Sequence, residues 1–199
     1  MIKTGIFGGS FNPIHNGHVS LARQLKEKAG LDEVWLMVSP LNPLKQGTEL
    51  LDDEARLAMA RAALEGEEGI IASDYEMHLP KPSYTWNTLQ ALSKDFPDRE
   101  FVLMIGGDNW DHFDRWYRAE DIRKNYHIVV YPRAKQGDGS FVRSSDGELT
   151  KEPSPCLVEA ELINISSTEI RQRIREGKGI RRLVPRVVAD MIKQNGYYA

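Results

Sequence analysis

Two histidines and three glycines near the N-terminus have the types and spacing to bind phosphate. His15 and His18 are three residues apart, so at the start of a helix they share one face. Gly8, Gly9 and Gly17 carry no side chain that would keep a ligand away from the backbone. A helix N-terminus presents N–H groups and the positive end of the helix dipole, and imidazole donates hydrogen bonds to phosphate oxygens. We therefore predict that this stretch binds phosphate.

A second pattern with the same chemistry lies near the other end of the chain. Ser166 and Ser167 precede a helical stretch and can cap it, and Glu169 has the spacing of a capping box. Arg171 follows one turn inside the helix, where its planar guanidinium can donate several hydrogen bonds to phosphate oxygens. The first pattern alone also fits a glycine-rich turn with two surface histidines, and the second also fits a capping box beside a surface arginine. The presence of both favours a functional interpretation.

Alternating strands and helices must position these residues. We predict strands at 2–7, 33–39, 70–73, 100–107, 126–131 and 157–165. Two helices are predicted over 52–64 and 184–194, and three more are predicted to start at 16, at about 83–85 and at about 167. The first strand, helix and second strand form a parallel unit. The predicted fold is therefore α/β, a Rossmann-like, doubly wound and mostly parallel sheet whose ligands bind at the carboxyl ends of the strands.

Length and composition narrow the class of protein. The chain has 199 residues and a net charge of −3, whereas a general nucleic-acid binder would be clearly basic. Its single cysteine, Cys156, cannot form an internal disulfide. No signal pattern and no apolar run of membrane-spanning length are present. We expect one cytoplasmic domain over 1–199 without nucleic-acid or membrane partners, a helical portion from about residue 167, and a flexible loop at 134–156.

The motifs resemble those of a known family. Residues 5–18 resemble the HxGH signature of the nucleotidyltransferase superfamily in its adenylyltransferase form, GxFxPxHxGH, although many members have Asp where Asn12 stands. Residues 165–171 resemble the second signature, ISSTxxR, and residues 82–89 resemble the PSYTxxTL segment. By these motifs the chain is identified as a member of the bacterial nicotinate mononucleotide adenylyltransferase family, a resemblance over nearly its whole length that is weakest at 134–156.

The resemblance implies transfer of the adenylyl group of ATP to nicotinate mononucleotide, which gives nicotinate adenine dinucleotide and pyrophosphate in NAD biosynthesis. It implies His18, His15 and Arg171 as catalytic residues and Mg²⁺ that arrives with ATP, without a metal site of the protein's own. The implied ATP-binding residues are Gly8, Gly9, Ser10, Phe11, His15, His18, Gly106, Asp108, Ile165, Ser166, Ser167 and Arg171. The implied substrate-binding residues are Ser39, Lys45, Tyr84, Thr85, Asp108, Trp116 and Arg133.

Several of these residues have an implied role. Backbone amides near Tyr84 and Thr85 would meet the nicotinate carboxylate, and Trp116 would stack on the pyridine ring. Asp108 would accept hydrogen bonds from ribose hydroxyls or hold a water of the magnesium shell. Lys45 would be a point charge for phosphate, although many relatives have His at the position before it, where this chain has Leu44.

Two other functions remain open at this point. Phosphopantetheine adenylyltransferases share the first motif, but they do not need the Tyr84–Thr85 pair or Trp116. A nucleotide sensor without activity could use the same fold, although its loss of His18 or Arg171 would be expected and both residues are present. Turnover of ATP to pyrophosphate with each acceptor separates the three functions.

Overall fold

The computed structural model describes residues 1–40, 50–131, 142–143 and 155–199. Lys45 and Arg133 therefore lie outside the described residues, as does most of the loop predicted at 134–156. Among the described residues, every helix is too short or too polar to cross a membrane.

Seven parallel strands form one sheet within the described residues. They are β1 (Ile2–Gly9), β2 (Glu33–Val38), β3 (Ile70–Ser73), β4 (Arg99–Gly106), β5 (His127–Tyr131), β6 (Val142–Arg143) and β7 (Cys156–Leu157). Their order is β3-β2-β1-β4-β5-β7-β6, and each neighbouring pair is parallel. The order runs outward in both directions from β1 and β4. The carboxyl ends of these two strands therefore form the switch point at which doubly wound sheets bind ligands.

Seven helices connect or follow the strands. They are α1 (Asn16–Lys28), α2 (Asp53–Ala63), α3 (Thr85–Asp95), α4 (Gly107–Trp110), α5 (Ala119–Asn125), α6 (Ser167–Arg175) and α7 (Arg186–Asn195) within the described part of the chain. Gly30, which follows α1, has a φ of 61°. Its left-handed conformation is typical of a glycine that ends a helix. The predicted Rossmann-like α/β class is confirmed.

Successive strand residues face opposite sides of the sheet. Phe7 is in register with Leu36 and Met104, and all three belong to a core that also contains residues of α1, α2, α6 and α7. Ile6, one position earlier, is in register with Leu103, and both belong to a second core that contains residues of α3 and α5. Burial on both faces explains why the central strands are almost continuously apolar.

The strand predicted over 157–165 is wrong in extent, because β7 ends at Leu157. The N–H of Val158 still donates to the Val130 carbonyl of β5 at 2.9 Å, but the chain after it is tied to side chains of α1. The amide of Glu161 donates to Oε1 of Gln24 at 2.8 Å, and Nε2 of Gln24 donates back to the Glu161 carbonyl at 2.9 Å. The Glu159 carbonyl accepts from Nζ of Lys28 at 2.8 Å. Side chains of a helix thus replace the ladder partners that a strand would need.

Candidate active site

The loop between β1 and α1 is organised by a pair of stacked histidines. His15 is the N-cap of α1, and its Nδ1 accepts a hydrogen bond from the backbone N–H of His18 at 3.3 Å. The N–H of His15 donates in turn to Nδ1 of His18 at 3.2 Å. The ring centroids are 3.5 Å apart, with an interplanar angle of 19°. Because each Nδ1 is an acceptor, each neutral ring carries its proton on Nε2, which makes Nε2 the donor.

The three glycines of this loop have two different roles. A Cβ on Gly17 would lie 3.0 Å from Nδ1 of His15, and one on Gly9 would lie 2.9 Å from the ring of Phe11. Both glycines therefore make room for side chains of the loop itself. A Cβ on Gly8 would meet no atom within 4 Å, and Gly8 is exposed. Of the three, Gly8 is the position at which a ligand could approach the backbone.

Phe11 packs against the histidine pair. It is 2% exposed and has a φ of 43°, which is unusual for a residue other than glycine. Its ring meets the His18 ring edge to face, with centroids 5.0 Å apart and planes at 84°. Phe11 thus fixes the orientation of His18 through packing, and the buried ring is a support for the predicted ATP site. Ser10, the residue before it, is half-buried at the same turn.

The second signature packs directly against the first. Ser166 caps α6 by accepting from the N–H of Glu169 at 3.1 Å, as predicted. Ser167 donates from Oγ to the Pro13 carbonyl at 2.8 Å. Arg171 donates from Nη1 to the Asn12 carbonyl at 2.7 Å. Residues from the two ends of the chain therefore form one site beside β1.

Arg171 retains donors for a ligand in this arrangement. Its second terminal nitrogen, Nη2, donates to Oγ1 of Thr168 at 3.3 Å. These two bonds use fewer than half of the five N–H groups of a guanidinium, and the side chain is only half-buried. Ile165, just before α6, is half-buried against the first core. It anchors the start of the signature.

A fully buried arginine, which the sequence analysis did not single out, joins the ends of β1 and β2. Arg56 on α2 is 0% exposed. It donates from Nη1 to the carbonyls of Ser10 and Ser39, from Nε to the Leu51 carbonyl at 2.9 Å, and from Nη2 to the carboxylate of Asp53. The sequence could have indicated that Arg56 is buried, because residues 56, 59, 60 and 63 have the spacing of the buried face of a helix.

A buried carboxylate was also missed. Glu76 is 8% exposed and accepts from Oγ of Ser39 at 2.6 Å and from Oγ1 of Thr88 at 2.9 Å. Burial raises the pKa of Glu76, and the hydrogen bonds from Ser39 and Thr88 offset part of that rise. The hydroxyl of Ser39, predicted to bind substrate, is thus a donor to this carboxylate. Glu76 lies in a stretch whose polar sequence gives no periodic pattern, so its burial had no local signal.

α3 begins within the predicted range of 83–85, but neither Ser83 nor Thr85, whose side chains are suited to capping, is its N-cap. The N-cap is Tyr84, no side chain among the described residues caps the helix, and Thr85 is its first residue. The Tyr84 ring lies 4.9 Å from that of Tyr117, at an interplanar angle of 38°. Tyr117 follows Trp116 in sequence, so the structure brings the predicted Tyr84–Thr85 and Trp116 elements to the same region.

Trp116 and Asp108 lie on the chain that leaves β4. Trp116 is half-buried and packs on Phe113, with ring centroids 5.3 Å apart and an interplanar angle of 42°. Gly106 is buried and is the N-cap of α4, while Asp108 is an exposed residue within that short helix. Gly106, and not Asp108, is therefore the N-cap of this helix. Asp108 lies at the carboxyl edge of the sheet, beside the switch point.

Comparisons with known proteins give a consistent result. The model of the cytidylyltransferase-like family matches residues 6–173. A protein of Bacteroides thetaiotaomicron named probable nicotinate-nucleotide adenylyltransferase is 46% identical over 195 residues, which are 97% of this chain and 92% of that protein. A protein of Flavobacterium johnsoniae with the same name is 41% identical and covered to 99% on both sides.

A comparison of structures agrees on the fold. The Plasmodium falciparum nicotinic acid mononucleotide adenylyltransferase complexed with NaAD has a TM-score of 0.77 to this chain. The two share 20% sequence identity, and the match covers 100% of this chain and 98% of that one.

Proposed function

The chain belongs to the cytidylyltransferase-like family and, within it, to the nicotinate-nucleotide adenylyltransferases, and from this membership we propose its reaction. It transfers the adenylyl group of ATP to nicotinate mononucleotide and releases pyrophosphate, a step of NAD biosynthesis that we place in the cytoplasm. An oxygen of the mononucleotide phosphate forms a bond to the α-phosphorus of ATP. The bond from that phosphorus to the bridging oxygen of pyrophosphate breaks. The product is nicotinate adenine dinucleotide.

The observation that carries the proposal is the contact between the two signatures at the switch point of the sheet. The nucleophile is already an anion, so the reaction needs positioning and neutralisation of negative charge more than it needs a strong base. The 2.7 Å bond from Arg171 to the Asn12 carbonyl and the 2.8 Å bond from Ser167 to the Pro13 carbonyl bring cationic and N–H donors to the loop that carries His15 and His18.

We assign the ATP phosphates to these donors. His18, together with His15, donates from Nε2 to phosphate oxygens, because the reciprocal cap fixes the other ring nitrogen as an acceptor. Arg171 and the N-terminus of α6 receive the leaving pyrophosphate. Gly8 allows phosphate to approach the backbone. These contacts strengthen as charge moves onto the leaving group, so they lower the barrier.

The nicotinate end is assigned to the start of α3. Because no described side chain caps this helix, its first amides can receive a carboxylate. Trp116 stacks on the pyridine ring, Tyr84 borders the ring site and Asp108 accepts from ribose hydroxyls. Ser39 contributes its oxygen as an acceptor, because its proton is donated to Glu76. Lys45, as a point charge for phosphate, and Arg133 lie outside the described residues and remain assigned to substrate binding on the resemblance alone.

Mg²⁺ would arrive with ATP and neutralise part of the charge on its phosphates. Within residues 1–40, 50–131 and 155–199, no three His, Cys, Asp or Glu side chains are grouped so that they could hold a metal ion. Single carboxylates suit an ion that keeps phosphate and water oxygens as its ligands, and Asp108 would hold one of those waters.

The proposal is tested by measuring pyrophosphate release from ATP with three acceptors: nicotinate mononucleotide, nicotinamide mononucleotide and phosphopantetheine. We expect release with nicotinate mononucleotide, together with stoichiometric nicotinate adenine dinucleotide by chromatography. A higher kcat/KM with phosphopantetheine would move the chain to the sister activity. ATP binding without release for any acceptor would make it a sensor.

A further inference from the structure

Glu76 lies between the proposed ATP site and the proposed mononucleotide site and belongs to neither. Its carboxylate is 8% exposed, so only partners inside the protein can compensate for its lost hydration. Oε2 accepts from Ser39, at the carboxyl end of β2, and Oε1 accepts from Thr88 on α3. The carboxylate therefore joins a sheet end to a helix that belongs to a different crossover.

On the sheet side, this link continues into the first signature. The N–H of Ser39 donates to the Gly9 carbonyl at 2.9 Å, and the Ser39 carbonyl accepts from buried Arg56 at 3.1 Å. The backbone N–H and the backbone carbonyl of Ser39 are thus both hydrogen-bonded, which fixes its position. Its hydroxyl, 2.6 Å from Glu76, is consequently a fixed reference point for the carboxylate.

On the helix side, the link reaches the N-cap of α3. Thr88 lies in the first turn, and its N–H donates to the Tyr84 carbonyl at 3.0 Å. Its hydroxyl is 2.9 Å from Glu76 and 3.3 Å from the same Tyr84 carbonyl. A hydroxyl has one proton, and the shorter of its two contacts is the one to the Glu76 carboxyl group. Thr88 is 1% exposed, so no solvent competes for this bond.

Packing alone does not fix the position of the helix start. The fully buried apolar residues of α3, Leu89 and Leu92, lie beyond its first turn, and Trp86 in the first turn is half-buried against the second core. Apolar contact is non-directional and tolerates small shifts along the helix axis. A short hydrogen bond between buried groups is directional, so the Thr88–Glu76 bond is the directional contact that sets where the first amides of α3 lie relative to the sheet.

We propose that Glu76 is a positioning residue that holds the start of α3, through Thr88, at the distance from the ATP loop that nicotinate mononucleotide requires. The inference rests on the proposed function, in which those amides receive the nicotinate carboxylate. Glu76 does not touch the substrate. It acts on the acceptor end of the reaction and leaves the ATP end unchanged, because the first signature has its own supports in Arg56 and Phe11.

The test uses Thr88→Val, with Thr4→Val as a matched control. Thr4 is 0% exposed and donates from Oγ1 to the Glu33 carboxylate at 2.7 Å. It therefore offers a bond from an equally buried threonine hydroxyl to a carboxylate, here half-buried, near the amino ends of β1 and β2 and away from the site. Thr88→Ser restores the hydroxyl, and Glu76→Gln keeps an acceptor oxygen without the charge. The KM for nicotinate mononucleotide is measured at saturating ATP, the KM for ATP at saturating mononucleotide, and Tm for each variant.

We expect Thr88→Val to raise the KM for nicotinate mononucleotide about tenfold, a factor that corresponds to about 1.4 kcal/mol, and to leave the KM for ATP within about twofold. Thr88→Ser recovers most of the loss, and Glu76→Gln raises the same KM by a smaller factor. Thr4→Val lowers Tm by a similar amount without changing either KM.

Two results would overturn this role. One is an equal rise of both KM values in Thr88→Val. The other is an equal effect on the mononucleotide KM of Thr88→Val and Thr4→Val, since loss of stability would then be the cause. If Thr88→Val does not fold, Glu76→Gln decides by the same two KM values. An unmodified enzyme that turned over no nicotinate mononucleotide would reject the proposed function and this role with it, whereas normal parental turnover with an unchanged Thr88→Val would reject this role alone.

Discussion

Arg171 and Asn12 are 159 residues apart in sequence and are joined by a 2.7 Å hydrogen bond from Nη1 of the arginine to the backbone carbonyl of the asparagine. The side-chain amide of Asn12 is used as well, since its Oδ1 accepts from the N–H of Leu51 at 3.2 Å. Asn therefore still supplies the acceptor that Asp would supply in many relatives. One buried residue thus connects β1, the chain before α2, and α6.

Replacing Arg171 by Lys tests the pyrophosphate role. Lysine keeps the charge but loses the planar fork, so it cannot bind Asn12 and a phosphate in the same geometry. We expect kcat/KM for ATP to fall at least about tenfold, with a loss of about 1 kcal/mol or less in the free energy of unfolding. Arg173→Lys is the control, because Arg173 is on the same helix and bonds to the Gly179 carbonyl at 3.2 Å. An Arg171→Lys variant with unchanged kinetics, or one that does not fold, would contradict the pyrophosphate role of Arg171.

Two substitutions of His18 separate its cap from its chemistry. Asn places an oxygen near the position of Nδ1, so it preserves the cap but lacks the distal donor. We expect kcat of His18→Asn to fall about 10²–10³-fold with little change in stability. Gln reaches the position of Nε2 and is also a capping-box residue at this helix position, so His18→Gln retains more of the rate and changes stability little. Steady-state kinetics and urea unfolding measure the two effects, and a kcat within a few-fold of the parent for His18→Asn would refute the assignment.

Gly8→Ala tests whether phosphate approaches the backbone at the end of β1. No protein atom lies within 4 Å of the added methyl group, so we expect unchanged Tm. The KM for ATP should rise about tenfold or more, because the methyl group occupies the space of the ligand. Gly179→Ala, which also has no neighbour within 4 Å, is the control and should be silent in both assays. Wild-type affinity for ATP in Gly8→Ala would place the phosphates elsewhere.

Replacement of the buried Arg56 is expected to cause a large loss of stability. Arg56→Met leaves the Asp53 carboxylate and three backbone carbonyls without their donor, and we expect the free energy of unfolding to fall by about 3–5 kcal/mol. Arg61→Met on the same helix removes an arginine whose side chain is 57% exposed and pairs with Asp74. Its cost should stay below about 1 kcal/mol. Urea unfolding of both variants gives the comparison, and equal losses would contradict the structural role of Arg56.

Preference for the acid over the amide is the expected property of the α3 site. The two mononucleotides differ only in carboxylate against carboxamide, so stacking on Trp116 does not distinguish them. A hydrogen bond to a charged group contributes about 1.5–3 kcal/mol, and the helix end adds about 0.3–1 kcal/mol. A sum of about 2–4 kcal/mol corresponds to a preference of about 30- to 1000-fold in kcat/KM. Equal use of both substrates at matched ATP would widen the assignment to a dual-specificity enzyme.

The sequence by itself determined the features that depend on neighbouring residues. Apolar runs located five of the strands, because strands buried on both faces need continuous apolar side chains. The spacing of His15 and His18 placed both rings on one helix turn, and Ser166 was found as a cap because capping is a contact over three residues. The α/β class followed from the alternation of these elements.

Only the tertiary structure decided the features that depend on residues far apart in sequence. The contact of Arg171 with Asn12, the partners of Glu76 on two different elements, and the short β7 all follow from which elements pack together. The cap of α3 belongs with them, since a locally suitable Ser83 or Thr85 was not used. Local propensities differ by about 1 kcal/mol or less, whereas burial of a charge such as Arg56 must be compensated by several kcal/mol from distant partners, so packing overrides the local preference.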